Sequence, residues 1–593
     1  MTCASGSVGA IVKMVAKSLV SSLVKRLARP QTKKGWCNLQ KEKWRVGNLL
    51  IVLHGNYVPC IFFTHCLTRR SINRLRIDTL LKFIFDMTDV DKSSERFCIN
   101  PNYVLRRDGG VGTICEANHV DSTIPCQENI LSHIHLFTAQ LFSCFDGQRT
   151  LSEAAAAASK LLDVPVEACL KQVARYIENE TFITNRIGEH WQIVPKNFLI
   201  PVRKELKSRQ YTPNTFVSDK YDFSPPDRLL SPLSLGLILT TQCLTDCVYC
   251  YARRPLPTDP IFGLDNIIDL IHQAVKAGVV TLDVNGGDVM LYPDWDVVVK
   301  ELVLSGYDPL ISTKKPLTSE DIKKLVDCKV SKIQISIDSL SPSTCSDLLK
   351  VKGEQYLRGI KRTFSLLDEV GLTTQINSVI TKRNATIKNI EELINFLLDH
   401  SCIRKIMFTP AGYSLYKKPY SDFAPTIEQI EHLREYISKL EGVHPDVEFT
   451  MSGYETDPKE AHANNRFANR AYCTANTRNA VVLPDGRMTI CEELYDHPAF
   501  IIGDLKKETL LEAWNSERAL NLFHYPQQNI PRQSPCHQCS EYTECHIEHG
   551  VCWKTIIMAY GETNYLFPDP ICPKAPTPQN IYWLESENRN ELL

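Results

Sequence analysis

The sequence has no strong net charge, no unbroken apolar run of membrane-spanning length and no short disulfide scaffold, and each lack removes a class of function. A formal charge of -1 over 593 residues gives nothing in the total that speaks for nucleic acid. Acidic residues are nearly missing from residues 1–86, which hold 15 Lys+Arg against 3 Asp+Glu, a net of +12 that leaves -13 for the rest. The apolar run from Leu49 to Cys66 is interrupted by His54, Gly55, Asn56, Pro59 and His65, which argues against a membrane span. Apolar residues at helical spacing with lysines between them, from Ile11 to Arg29, suit an anionic membrane surface or mimic a transit peptide. Met87 opens a polar stretch before domain-like patterning begins. The functional protein is therefore expected to start near Met87, with residues 1–86 a basic extension that is non-native or dispensable.

Cysteine is plentiful, at 22 residues, but ten fall either between Cys243 and Cys250 or between Cys473 and Cys572, in metal-ligand spacings. That grouping points to a reducing cytoplasm and not to a secreted framework. Apolar content of 43% and charged content of 23% are those of an ordinary globular protein, and the length calls for three or four domains.

The informative stretch is Cys243-Leu-Thr-Asp-Cys247-Val-Tyr-Cys250, directly after the apolar run 235–240. Three thiolates spaced this closely can hold three irons of a 4Fe-4S cube and leave the fourth iron open to chemistry. A zinc knuckle wants four ligands, and no fourth Cys or His follows closely. The stretch resembles the radical SAM superfamily motif. The resemblance implies that S-adenosylmethionine chelates the open iron, that Tyr249 packs against its adenine, and that Cys243, Cys247 and Cys250 are the catalytic cluster ligands.

Around this motif, strands expected at 235–240, 280–284, 309–312, 333–337, 374–380 and 405–409 alternate with helical patterns such as 264–277 and 387–398. Such alternation gives a parallel sheet with chemistry at the C-terminal strand ends. The fold class is α/β, and six units match the partial (β/α)6 TIM-like barrel of the radical SAM family, placed at 234–450. By the same resemblance Gly286, Gly287 and Asp288 bind the methionine amino group, where the family usually has Gly-Gly-Glu, and Ser312, Ser336, Asp338 and Asn377 line the cofactor and substrate cavity. Gln334, Ser336 and Asp338 share one face by period two. Pro410-Ala-Gly412 is similarly placed; this segment and Asn377 serve equally well as barrel packing or turn.

Upstream, residues 87–202 read as a winged-helix-like α+β unit. Strands are expected over 97–108 and 112–117, helices over 130–145, 152–162 and 166–179, and a last strand over 190–194. DNA binding is disfavoured because the 166–179 helix offers few basic side chains. The pattern from Leu141 to Glu153 resembles the PqqD-like peptide-recognition element of ribosomal-peptide maturation enzymes, in which a leader peptide adds as a strand to a three-stranded sheet. Residues 203–233, polar and proline-containing, read as a linker.

From Cys473 the thiols run Cys473, Cys491, Cys536, Cys539, Cys545, Cys552 and Cys572, with a Pro-Asp-Gly hairpin turn at 484–486. Seven ordered cysteines exceed one zinc site. The pattern resembles the SPASM auxiliary-cluster domain, placed at 465–593. That resemblance assigns Cys536, Cys539, Cys545 and Cys572 to one auxiliary 4Fe-4S cluster, and Cys473, Cys491 and Cys552 to another that lacks an evident fourth ligand. The six residues between Cys545 and Cys552, where the family more often has three, raise His546 and His549 as alternative ligands.

Together these resemblances imply a radical SAM oxidoreductase that matures a ribosomally made peptide, of the thioether-forming sactipeptide or ranthipeptide type. The expected cofactors are S-adenosylmethionine and three 4Fe-4S clusters. The expected partners are a precursor peptide bound through its leader and a flavodoxin- or ferredoxin-type electron donor, with no nucleic acid and no membrane. The alternatives are a formylglycine-generating sulfatase maturase, carbon-carbon crosslinking, epimerisation, and a non-catalytic protein with a degenerate barrel.

Overall fold

A computed structural model describes residues 46–49, 61–64 and 92–585, apart from 118–123, 129, 204–207, 253–261, 418 and 496. The chain divides into Met1–Asp91 and Lys92–Leu593. In the first unit, β1 (Val46–Leu49) and β2 (Ile61–Thr64) pair antiparallel. The helical pattern at 11–29 and the Met87 start lie outside the described residues.

The second unit begins with β3 (Arg96–Ile99), β4 (Tyr103–Asp108), β5 (Val111–Glu116) and β6 (Leu131–His135). After helix Leu136–Ser143 come β7 (Asp146–Thr150), helices Leu151–Leu162 and Val166–Val173, the hairpin β8 (Ile183–Ile187) and β9 (His190–Val194), and β10 (Leu199–Pro201). β4, β5 and β6 form one three-stranded sheet, and β10, β3 and β7 another. Phe97, Tyr103, Phe142, Phe145, Tyr176 and Phe198 fill the core between them. Thr150 closes a capping box with Glu153, as its position before the alanine-rich run suggests.

Three readings of this region differ from the structure. The single strand over 97–108 is broken at Asn100–Asn102, where the Asn100 side chain accepts from the Asn102 amide at 3.0 Å and turns the chain. Residues 131–135 are a strand and not helix, because Ser132 and Ile134 are buried while the whole segment pairs with β5. The third helix stops at Val173, since the following backbone is drawn to β10 through Leu199 N to Tyr176 O (3.1 Å) and Glu178 N to Leu199 O (2.8 Å).

The central α/β region runs β11 (Ser234–Thr240), β12 (Thr281–Gly286), β13 (Ile311–Thr313), β14 (Lys332–Ser336), β15 (Thr373–Ile380), β16 (Ile403–Pro410) and β17 (Glu448–Met451). β11 pairs parallel with β12, and β13 through β17 form a parallel five-stranded sheet. Helices Leu264–Lys276 and Ile387–Leu398 bury their apolar stripes against the strands. β17 is an addition to the six expected strands.

The C-terminal region supplies β18 (Asn479–Val482), β19 (Arg487–Thr489) and β20 (Ile501–Asp504). β18 adds parallel to β11 and turns back into β19 through Leu483–Gly486, where Gly486 has φ +85°. One continuous core therefore runs from Leu237 and Ile335 to Met488, Trp514 and Tyr560. Within the stretch expected to be a linker, residues 228–233 are packed and not free. Arg228, buried over the Trp514 ring at 3.9 Å, donates to Asn476 O and Trp514 O, each at 2.6 Å. Among the described residues no helix is long and apolar enough to cross a membrane.

Candidate functional site

The three cysteines of the first motif sit on the loop that leaves the C-terminal end of β11. The Thr245 hydroxyl lies 3.4 Å from Cys243 Sγ and 3.2 Å from Cys247 Sγ, and the Cys250 amide donates to Cys247 O at 3.1 Å, so one hydroxyl bridges two of the sulfurs and the loop closes on a tight turn. The Gly-Gly-Asp turn braces this loop. Gly287 N donates to Thr240 O and Asp288 N to Gln242 O, both at 2.7 Å. A Cβ on Gly287 would stand 2.0 Å from Gln242 O, and one on Gly286 2.7 Å from Thr240 O. The close approach these glycines permit is thus to the cysteine loop's own backbone.

Asp288 was expected to accept from an ammonium. In the structure it is buried, and its Oδ2 accepts from Thr313 Oγ1 (2.6 Å) and from the amides of Lys314 and Lys315 (3.2 Å each), while Oδ1 accepts from Met290 N (3.2 Å). It ties β12 to β13. The charged partner in the cavity is a different pair: Lys314 Nζ lies 3.2 Å from both oxygens of Asp338 and 5.7 Å above the Tyr249 ring. Asp338 also accepts from the Tyr249 hydroxyl and from Val379 N (2.9 Å). Burial opposes the Lys314 charge, but Asp338 and the Cys247 thiol beside it outweigh burial and raise its pKa. Sequence reading missed Lys314, whose signal was its place one residue beyond β13.

Ser312, Gln334, Gln375 and Lys405 form one cross-strand row, and Ser336, Asn377, Met407 and Thr450 the next. Gln334 Nε2 donates to Ser312 Oγ (2.7 Å) and Thr409 Oγ1 to Asn377 Oδ1 (3.1 Å). The opposite face, Ile333, Ile335, Ile376, Ile406 and Phe408, is buried. A polar interior facing the cysteine loop follows from that alternation. Thr450 Oγ1, Ser452 Oγ and Glu455 Oε2, on and just after β17, are buried without a hydrogen-bond partner, an unsatisfied polar edge that sequence reading missed. A Cβ added at Gly412 would meet no heavy atom within 4 Å, so no close approach requires a glycine there.

Five of the seven C-terminal thiols line two cavities. One is lined by Cys536, Cys539, Cys545 and Cys572 together with His546, Tyr542 and Lys574. Gln527 Nε2 pins the Cys-x2-Cys turn by donating to Cys536 O (2.9 Å) and Cys539 O (2.8 Å). The other cavity is lined by Cys473, Asn476, His546 and Trp553. Cys491 follows β19, and Cys552, exposed, opens helix Trp553–Tyr560. His549 Nε2 donates to Arg470 O at 2.9 Å, so it braces the chain instead of facing the thiols.

Among the described residues no three Cys, His, Asp or Glu converge tightly enough for a single metal ion. Cys536, Cys539, Cys545 and Cys572 instead line one cavity together. Burial pushes the Cys536 thiol up to about 12 and the Cys545 and Cys491 thiols to about 11, so each holds its proton until a metal displaces it.

Residues 237–397 match the radical SAM superfamily, and residues 473–540 match the SPASM iron-sulfur cluster-binding domain. The chain carries a radical SAM domain and a SPASM domain. The GTP 3',8-cyclase of Sulfurovum sp. is 24% identical over 319 residues, 50% of this chain and 89% of that protein. The PqqA peptide cyclase of Methylocella silvestris is 23% identical over 362 residues, 59% of this chain and 90% of that protein. Among solved structures, SuiB of Streptococcus suis covers 80% of this chain. Bound to S-adenosylmethionine it aligns at 14% identity and TM-score 0.53 over 99% of its own chain. Bound to its precursor peptide SuiA it aligns at 15% identity and TM-score 0.52 over 100%. S-adenosylmethionine and iron-sulfur clusters are the groups the two domains bind. Cys243, Cys247 and Cys250 fit the first domain's cluster as three thiols of one short loop, and Cys536, Cys539, Cys545 and Cys572 fit an auxiliary cluster as four thiols around one cavity.

Proposed function

We propose that the protein is a radical SAM enzyme that modifies a ribosomally made precursor peptide, installing thioether crosslinks from a cysteine sulfur to a carbon of the same peptide. The likeness to SuiB carries this reading. It covers 80% of the chain, more than residues 203–593 alone account for. In this reading the upstream α+β unit is a PqqD-like element that takes the leader as an added strand on the β4-β5-β6 sheet.

When bound, the cluster and S-adenosylmethionine supply a 5′-deoxyadenosyl radical that removes a hydrogen atom from an unactivated carbon. Cys243, Cys247 and Cys250 hold that cluster. Gly286 and Gly287 fix the loop by letting its backbone approach, and Asp288 locks the turn to β13. Asp338 orients Tyr249 and Lys314 beside the loop, so a fixed hydroxyl and a fixed ammonium face the space where cofactor is held. Ser312, Gln334, Ser336, Asn377 and Thr450 offer hydrogen bonds to an extended peptide in the interior, and the orphaned Thr450 and Ser452 hydroxyls are acceptors or donors waiting for such a group. The SPASM thiols hold the auxiliary clusters. A flavodoxin- or ferredoxin-type donor supplies the reducing electron, in a reducing cytoplasm.

Co-expression with a small cysteine-containing precursor tests the reading. Mass spectrometry is expected to show a loss of two hydrogens per crosslink, only when the leader is present. Leaderless core modified as fast as full precursor, well below saturation, would overturn leader recognition, and a formylglycine or an unchanged-mass epimer would overturn the thioether.

A further inference from the structure

Every sulfur of the four-thiol group in the SPASM domain has a nitrogen of the chain beside it. Arg470 Nη2 donates to Cys545 Sγ at 3.3 Å, and Lys574 Nζ to Cys539 Sγ at 3.4 Å. The Lys574 amide donates to Cys572 Sγ at 3.5 Å, and His546 Nε2 lies 3.7 Å from Cys536 Sγ. Two of these four nitrogens belong to cationic side chains.

Neither cation is there by accident of a loose surface. Arg470 Nη1 donates to Phe467 O (2.9 Å) and Nη2 also to Cys545 O (3.1 Å), its guanidinium stacks 4.1 Å from the Phe467 ring, and its carbonyl is fixed by His549. Lys574 is partly exposed and is aimed by Glu541, whose Oε1 lies 3.3 Å from its Nζ. Cys491, of the other set, is followed instead by Glu492, which accepts from the Tyr251 hydroxyl at 3.4 Å, and Glu493, which pairs with Lys554 Nζ at 2.7 Å. Cations thus donate to two sulfurs of the four-thiol group, whereas among the described residues no cationic side chain donates to the sulfur of Cys473, Cys491 or Cys552.

Reduction adds one negative charge to an iron-sulfur group. N–H donors to its sulfurs and nearby cations stabilise the reduced form, whereas carboxylates stabilise the oxidised one. Arg470 remains charged at any working pH. We propose that Arg470 and Lys574 set the reduction potential of the cluster held by Cys536, Cys539, Cys545 and Cys572, making it the most readily reduced centre in the chain. The proposal rests on the SPASM domain alone and stands whichever substrate the enzyme takes.

The test is a dithionite potentiometric titration, followed by electron paramagnetic resonance, on anaerobically reconstituted full-length protein, with iron and sulfide content measured in parallel. Lys574→Met is expected to shift the highest-potential signal to a more negative midpoint with iron content unchanged. Lys574→Arg, which keeps the charge, is expected to keep the midpoint. Glu541→Gln removes the opposing carboxylate and is expected to shift it more positive. Arg470→Gln is expected to shift it negative by more than Lys574→Met does; if that variant loses iron because Cys545 is no longer braced, the Lys574 and Glu541 variants still decide. An unmoved midpoint in Lys574→Met at full iron content, or a shift confined to a lower-potential signal, overturns the proposal.

Discussion

Replacing Gly287 by alanine tests whether the Gly-Gly-Asp turn acts by bracing the cysteine loop. The added Cβ would lie 2.0 Å from Gln242 O and 2.6 Å from Thr241 O, backbone atoms that cannot rotate away. The loop stem must move, and two hydrogen bonds move with it: Gly287 N to Thr240 O and Asp288 N to Gln242 O. Overpacking costs about 1–3 kcal/mol, and each hydrogen bond contributes about 0.5–1.5 kcal/mol, so the local penalty is about 2–6 kcal/mol. The core around Leu237, Val284 and Ile335 is untouched. The strain is therefore relieved by displacing the loop, and a displacement of ~1 Å costs up to ~100-fold in a positioned reaction. Iron content and 5′-deoxyadenosine formation under reducing conditions are the assay. Gly287→Ala is expected to lose most cofactor cleavage, with loss of the iron held by the Cys243–Cys250 loop but not the SPASM iron. Gly412→Ala, whose Cβ meets nothing within 4 Å, is expected to behave as wild type. Wild-type cleavage and iron in Gly287→Ala would refute the bracing argument.

Three further outcomes follow from the same geometry. Reconstituted protein is expected to hold ~12 irons, and substituting Cys243, Cys247 and Cys250 together by alanine should abolish 5′-deoxyadenosine while sparing the SPASM clusters; cleavage persisting in that variant would contradict the loop assignment. Arg228→Ala leaves Asn476 O and Trp514 O without their 2.6 Å donors, a loss of about 3–5 kcal/mol that should appear as a lowered thermal midpoint. Asp321 is capped into its helix by Thr318 and paired with Lys315 at 2.7 Å; burial opposes its charge, but these bonds outweigh it and lower its pKa. A lowered pKa stabilises above the unfolded value and is lost as pH falls through the folded one. Asp321→Asn should therefore cost ~1–2 kcal/mol at neutral pH, and the gap to wild type should close below pH ~4.

The elements that were legible in the sequence are those whose signal is local. β11, β15 and β16 and helices Leu264–Lys276 and Ile387–Leu398 carry unbroken period-two or period-3.6 patterns, and they lie within a residue or two of where those patterns place them. Residues 131–135 misled because Leu-Ser-His-Ile-His fits a helix entrance as well as a strand; only pairing with β5 decides. β17 was missed because Glu-Phe-Thr-Met is too short to announce itself. Side-chain roles were less legible than positions. That Asp288 ties β12 to β13 and Lys314 meets Asp338 depends on contacts 24 or more residues apart in the chain, and no periodicity encodes them.

The segment that reads as a linker shows why this matters for the proposed reaction. Leu229 N donates to Thr477 O (3.1 Å) and Leu233 N to Arg478 O (2.6 Å), while Trp514 Nε1 donates to Leu229 O (2.8 Å), which fastens 228–233 to the SPASM domain. Leu230 N donates to Asp108 Oδ1 (2.8 Å), and the buried Arg106 guanidinium reaches Pro232 O (3.1 Å) and Gly278 O (2.9 Å), which fastens β4 to the residues just before β11 and β12. Those are the N-terminal strand ends, opposite the cysteine loop. A flexible tether would set an effective concentration that changes slowly with its length. Contacts of this kind set a fixed span instead, so on the proposed reading a leader held on the β4-β5-β6 sheet presents its core to the cysteine loop only if the peptide between them is long enough to cross the central α/β region. Shortening that peptide stretch should therefore abolish modification abruptly at one length, whereas a gradual decline would mean that the α+β unit swings free of that region in solution.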